Sequence, residues 1–311
     1  PIFSPEEAVK PIRTIAFALA TVSLAATAWA APSGFAFLQV PAGARAAAMG
    51  GAYMSLAQGA EAAFWNPAGL ADFTGTQFTA THIETYEHLR HEQVAVAGRL
   101  FGGGMAASLR AMYSEPIPER DELGNLIGSF GSHDLEFLLG YGRTIGGVAF
   151  GASAQHVRER IADQAAGTWA MNAGASWRMP ALAGARVSLS LHQLGGSAHY
   201  TFNGAKGQPV PLPTMVAAGL AWQRPALRGL TARLAVEAHA TRGRAGLYAF
   251  GGELEAPIGA SLRAGFRVGD DIADWSVGAG WRAGVLQVDY AFVPSKLALD
   301  DTHRFSLGAH F

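Results

Sequence analysis

From residue 76 to Phe311 the chain alternates apolar and polar residues in short segments that carry side chains of one kind to one face. Segments of this pattern fall at 76–86, 93–101, 104–113, 132–143, 147–160, 168–178, 185–194, 214–223, 231–240, 247–256, 260–268, 275–282, 284–292 and 303–311. Period-two alternation marks a strand with two different surroundings. Fourteen such strands, each near the ~9–11 residues that cross a bilayer when tilted, form an even set, as a single-chain bacterial barrel requires. The terminal strand is typical. Phe305, Leu307, Ala309 and Phe311 share one face, with Arg304, Ser306, Gly308 and His310 on the other.

The connections sort by parity. Short ones follow even strands: Gly102-Gly103, Thr144 to Gly146, Met179 to Gly184, Pro257 to Gly259, and Ala283. The long ones, 114–131, 195–213 and 293–302, follow odd strands. Short turns at one rim and long loops at the other are the periplasmic and extracellular ends of an outer-membrane barrel. The predicted lipid faces carry sets such as Leu135/Phe137/Leu139/Tyr141 and Trp275/Val277/Ala279/Trp281. Phe101, Tyr141, Trp177, Trp222, Trp281 and Phe311 gather at the short-turn ends, a girdle at one interface. The fold class is therefore all-β: a 14-stranded antiparallel transmembrane β-barrel of the outer membrane.

Two further segments complete the organisation. Residues 1–30 read as a signal peptide, with Lys10 and Arg13 before an apolar run from Ile15 to Ala28 and an Ala28-Trp29-Ala30 cleavage site. Residues 31–75 are small and Gly-rich and do not alternate, so they are predicted to be a plug, or hatch, inside the barrel of residues 76–311. A barrel this wide needs filling, since about eight strands already fill with their own side chains. Inward Arg99, Arg110, Glu136, Glu237, Glu253, Arg263 and Arg267 are the predicted partners for the plug's backbone, and Arg45, its only basic residue, is predicted to pair with one of these carboxylates. Asn66 before Pro67 reads as a turn start and Gly69 as a position free to take positive φ, so the segment around Asn66 is expected to be a tight turn beside the first strand.

Composition removes several classes. The net charge is −1, which gives no surface for nucleic acid. With 0 cysteines there is no thiolate metal site, cysteine nucleophile or lipoprotein anchor. His82, His88 and His91 with Glu84, Glu87 and Glu92 have no tight ligand spacing and read as a solvated loop; Asp270, Asp271 and Asp274 read as a polar turn. Ser188, Ser190, His192 and Asp289 share the inner face, but nothing local marks a nucleophile. No enzyme, metal or cofactor is expected.

The run Phe37-Leu38, Gly43-Ala44-Arg45-Ala46, Met49-Gly50-Gly51-Ala52 and Trp65-Asn66-Pro67-Ala68-Gly69-Leu70-Ala71 resembles the N-terminal signature of the PorV/PorQ family, and its Asn66 to Gly69 core resembles the wider FadL-like fatty-acid transporters. Asp289-Tyr290-Ala291-Phe292 and Thr302 to Leu307 resemble the PorV/PorQ C-terminus. The PorV/PorQ resemblance implies a binding and shuttle role in type IX secretion, with a translocon and the C-terminal signal domains of cargo as partners. The FadL-like resemblance implies the alternative, passive transport of hydrophobic small molecules such as long-chain fatty acids, with Phe35, Phe37, Leu38, Met49 and Phe64 as contacts of a lipid or fatty-acid ligand. A structural barrel without substrate is the third reading. Under all three the outer-membrane lipid is a partner, and the barrel assembly machinery is expected to read Phe305 and Phe311.

Overall fold

In the computed structural model the described residues are 32–85, 89–202, 205–297 and 299–311, so the predicted signal peptide lies outside them. Eighteen strands are described. Fourteen form one closed wall: β1 (Gln77–Glu84), β2 (Arg90–Leu100), β3 (Gly103–Tyr113), β6 (Ser132–Ile145), β7 (Val148–Ile161), β8 (Gln164–Arg178), β9 (Ala185–Gly195), β12 (Met215–Pro225), β13 (Thr231–Thr241), β14 (Leu247–Glu255), β15 (Ala260–Val268), β16 (Trp275–Ala283), β17 (Leu286–Val293) and β18 (Thr302–His310). Each pairs antiparallel with its neighbours, and β1 closes on β18 from Gln77 opposite His310 to Glu84 opposite His303. No described helix is long and apolar enough to cross a membrane.

Burial follows the predicted faces. Leu135, Phe137 and Leu139 are exposed while Asp134, Glu136 and Leu138 between them are buried. A polar face that is buried and an apolar face that is exposed is the reverse of a soluble sheet, and it is what a lipid solvent selects. Short turns are built tightly: Phe101 and Gly102 both take positive φ, 53° and 73°, the two-residue pattern that matches strand twist. The aromatic girdle is not one-sided as predicted. Trp169, Trp275 and Tyr248 are also exposed, towards the long-loop ends of β8, β16 and β14, so both rims carry aromatics.

The sequence reading of loops 114–131 and 195–213 is corrected. Each contains a two-stranded hairpin: β4 (Ile117–Arg120) with β5 (Leu126–Phe130), and β10 (Ala198–Phe202) with β11 (Ala205–Val210). Pro209 stands opposite His199 within the second. A two-stranded ribbon leaves each strand one free edge, where a missing N–H is tolerated. The strand starts at 93 and 168 also move, to Arg90 and Gln164, because the ladder continues through polar residues such as His91 opposite Met112.

Residues 32–75 form short helical turns at Ala36–Gln39, Ala44–Ala48, Gly59–Glu61, Ala62–Trp65 and Pro67–Leu70. Their hydrogen bonds go to wall residues on all sides. Gly43 N–H donates to Gln93 Oε1 of β2 (3.0 Å), Ala44 N–H to Ser306 Oγ of β18 (2.8 Å), Gly50 N–H to Ser276 Oγ of β16 (3.1 Å) and Ser55 N–H to Glu237 Oε1 of β13 (3.3 Å). Arg110 and Arg304 in turn donate to the Leu38 and Pro41 carbonyls at 3.2 and 2.6 Å. Partners on opposite sides of one ring can be reached only from within it, so the segment threads the interior. The wall's polar side chains complete the backbone groups that short turns leave open.

Candidate functional site

The interior is best built from the seat of Asn66 upward. Asn66 has extended backbone (φ −162°, ψ 107°) and its Oδ1 accepts from Ala68 N–H, capping the 3-10 turn Pro67–Leu70. Its Nδ2 donates to Ser176 Oγ of β8 at 3.3 Å. The expected tight turn is thus a capped helical turn held against the wall. Gly69 does not have positive φ; a side chain there is excluded because its Cβ would lie 2.2 Å from the Ala57 carbonyl oxygen. Wall glycines receive the turn. A Cβ on Gly151 would stand 2.2 Å from the Pro67 carbonyl carbon, and one on Gly174 would stand 1.9 Å from Asn66 Oδ1. Gly265 receives Gly50 in the same way, with a Cβ 2.0 Å from its nitrogen. Gly50 and Gly51 need their own glycine backbone, with φ 66° and 78°.

Arg45 points to the short-turn side. It forms a two-point pair with Glu253 (Nε to Oε2 2.8 Å, Nη2 to Oε1 2.7 Å) and also donates to Tyr53 Oη, whose hydroxyl hydrogen-bonds Glu61. Arg263 bridges Glu253 to Asp289 at 2.5 and 2.7 Å, and Arg233 bridges Glu253 to Glu255 at 2.5 and 2.6 Å. Two-point arginine–carboxylate pairs fix geometry as well as charge. Arg99 does not join this interior set. It has inward parity on β2 but lies at the exposed rim, where it donates to the Ala71 carbonyl at 3.0 Å. It is a backbone partner of the segment there, as expected, but outside the Glu253 network.

Two spaces lie on either side of Trp65 and Tyr53, which meet edge-on at 5.9 Å. On the short-turn side is a vestibule of about 600 Å³ lined by Arg45, Arg178, Arg186, Arg233 and Arg282 against Glu61 and Asp289. Arg178 pairs with Asp72 at 2.8 Å. Arg186 and Arg282 have no carboxylate at ion-pair distance among the described residues. On the long-loop side is a cavity of about 140 Å³. Leu38, Phe64, Trp65, Leu138, Met215 and Leu247 give it apolar walls; Arg110, Glu136, Gln155, His192, Arg267 and Asp270 give it polar points. Arg110 pairs with Glu136 at 3.1 Å and stands 4.9 Å over the Phe64 ring. Asp270, in the loop after β15, is pushed up by burial, but the Ala273 and Ile272 amides and Arg267 outweigh this and hold its carboxyl below the usual range.

Of the five apolar residues expected to contact a ligand, Leu38 and Phe64 line this cavity. Phe35 and Phe37 instead pack with Val157, Ala198 and Leu212 beneath the β10–β11 hairpin. Met49 packs on the backbone of Gly251. The three are buried but lie outside the cavity because the wall and hairpin fill the space around them. Gln155 and His192 gave no local signal as cavity residues, since their role depends on strands β3 to β15 closing into a ring. His192 Nε2 and Ser190 Oγ lie 2.9 Å apart, yet the serine hydroxyl is buried against Met54 Sδ at 2.8 Å, away from any open space. No three His, Asp or Glu come together as a metal-ligand set among the described residues. Glu87 and His88 lie outside them. Phe305 faces outward on β18, and Phe311 exchanges backbone hydrogen bonds with Thr76 at 2.8 and 3.0 Å.

No protein-family model and no curated protein matches the chain. Solved structures do. The Pseudomonas putida toluene transporter TodX superposes with a TM-score of 0.55 at 14% identity, over 86% of this chain and 96% of its own. The monoaromatic hydrocarbon channel CymD gives 0.55 at 13%, over 86% and 97%. The fold shared with these channels is the closed antiparallel β-barrel. At these identities the likeness establishes the architecture of the wall and leaves the chemistry of the interior to this chain's own residues.

Proposed function

We propose that this barrel lies in the outer membrane and passes small hydrophobic molecules across it, with residues 32–75 as its plug. The observation that carries the reading is the half-apolar cavity on the long-loop side, floored by Phe64 and Trp65 of the segment itself. An apolar pocket with a few convergent polar groups is the usual form of a small-molecule site. Its size supports a compact permeant, since a cavity of about 150 Å³ holds one benzene ring. The solved channels for toluene and monoaromatic hydrocarbons share the wall architecture, which supports transport over cargo shuttling. Uptake of labelled toluene by cells expressing the barrel, against cells carrying an empty vector, tests the reading. Equal uptake defeats it.

A PorV/PorQ-like shuttle is the second reading. It is favoured by one feature: the outer β4–β5 hairpin exposes Leu123, Leu126 and Ile127. Three exposed aliphatics on one loop suit a protein contact. Purification from the native envelope in detergent tests it, and recovery without a translocon barrel or exported cargo ends that reading.

A further inference from the structure

The long-loop cavity also holds polar groups that a pure hydrocarbon would leave unused. Gln155 is fully buried on β7, and its Oε1 is already taken by Asn172 Nδ2 at 2.7 Å. Asn172 is itself fixed twice more. It donates to Ser153 Oγ at 2.9 Å, and its Oδ1 accepts from Gln193 N–H at 2.8 Å, where β8 slips register against β9 between Met171 and Ala173. The bulge therefore orients the Gln155 amide and leaves its Nε2 without a partner at the cavity. Arg267 has the same character. It is 6% exposed and spends Nη1 on Asp270 at 3.1 Å, while Nε and Nη2 remain unpartnered. Buried donors without acceptors are costly and are rare unless something completes them. Charge points the same way. The cavity carries Arg110, Arg244 and Arg267 against Glu136 and Asp270, three basic side chains to two acidic ones.

Resting on the transport reading above, we infer that this site takes a compact organic monoanion: a carboxylate carried on an apolar body of about one aromatic ring. The carboxylate accepts from Gln155 on the β7 side, the ring lies against Phe64, Trp65 and Leu38, and Arg267, across the ring on β15, contributes its positive charge to the cavity. The uncompensated Arg186 and Arg282 of the short-turn vestibule give the same anion a favourable surface once it has passed Trp65.

Calorimetry on the full barrel in non-ionic detergent, with benzoate and its neutral counterpart benzyl alcohol as probes, tests the inference. Benzoate is expected to bind at least fivefold more tightly than benzyl alcohol. Gln155→Leu is expected to remove most of that preference. Arg244→Gln, at an exposed position on the cavity rim that folding tolerates, is expected to reduce it at least threefold. Benzyl alcohol binding as tightly as benzoate, with both variants unchanged, overturns the anion site and leaves hydrocarbon transport intact. Absence of binding by either probe also overturns the site, and the toluene uptake assay then judges transport separately.

Discussion

Asn66 shows how much one side chain does here. It caps Pro67–Leu70 through Oδ1, bonds Ser176 through Nδ2, and fills the space that Gly174 leaves. Asn66→Ala removes a cap and leaves Ser176 one partner short, a loss of about 1–2 kcal/mol. The temperature at which the folded, heat-modifiable form disappears on a gel is expected to fall, and an unchanged temperature contradicts the role. Glycine positions make a complementary test. Gly265→Ala drives a methyl to within 2.0 Å of Gly50 N. It should cost about 1–3 kcal/mol by overpacking, and should raise ion conductance in planar bilayers as the segment is displaced. Gly252→Ala, whose Cβ meets only Leu234 at 3.6 Å, should change neither.

At the scale of elements, the β10–β11 hairpin is the piece with the clearest separable role. Ala198 and Leu212 are buried with Phe35 and Phe37, and Gly34 N–H donates to the Pro211 carbonyl at 3.1 Å. The hairpin thus covers the outer end of the N-terminal segment. Replacing residues 198–210 by a short turn should leave the wall ladder intact and expose position 37. With 0 native cysteines, Phe37→Cys is a clean reporter: a membrane-impermeant maleimide should label it from outside only in the shortened protein. Labelling in the full-length protein would show that the hairpin is no cover. The arginine–carboxylate ladder around Glu253 acts at the opposite end. Arg45→Ala leaves Glu253 paired with Arg233 and Arg263 but removes the segment's own two-point link to the wall, so it should loosen the segment and increase conductance. Unaltered conductance would remove Arg45 as its anchor.

For the whole molecule, the surroundings of each face decide what it tolerates. Leu139 lies midway along β6 and is 48% exposed. In water that exposure would accommodate an arginine; in a bilayer the same change costs about 2–4 kcal/mol near the midplane. Leu139→Arg is therefore expected to reduce the membrane-assembled, heat-modifiable fraction sharply, while Leu123→Arg, on the outer hairpin, leaves it unchanged. Equal assembly of the two variants would mean the wall does not face lipid.

The strand number, the faces and the parity of turns and loops were all legible, because alternation is a local consequence of a wall with different solvents on its two sides. The seat of the N-terminal segment was legible only in outline. Arg45 stood out as its single cation, but the choice of Glu253 among several inward carboxylates is made by barrel register, 208 residues away in the chain. Gly69 was read for backbone freedom when its requirement is space, which only the approach of Ala57 reveals. Phe35, Phe37 and Met49 looked like ligand contacts because apolarity is local, whereas enclosure by wall and hairpin is not. Gln155 carries no signal in the sequence, since its amide is oriented by Asn172 where β8 slips against β9. Sequence by itself determined the wall, since each strand carries its apolar outer face and polar inner face independently of the others. Tertiary structure alone decided the cavity, since its lining comes from strands far apart in the chain and surrounds one space only when the ring closes around the segment.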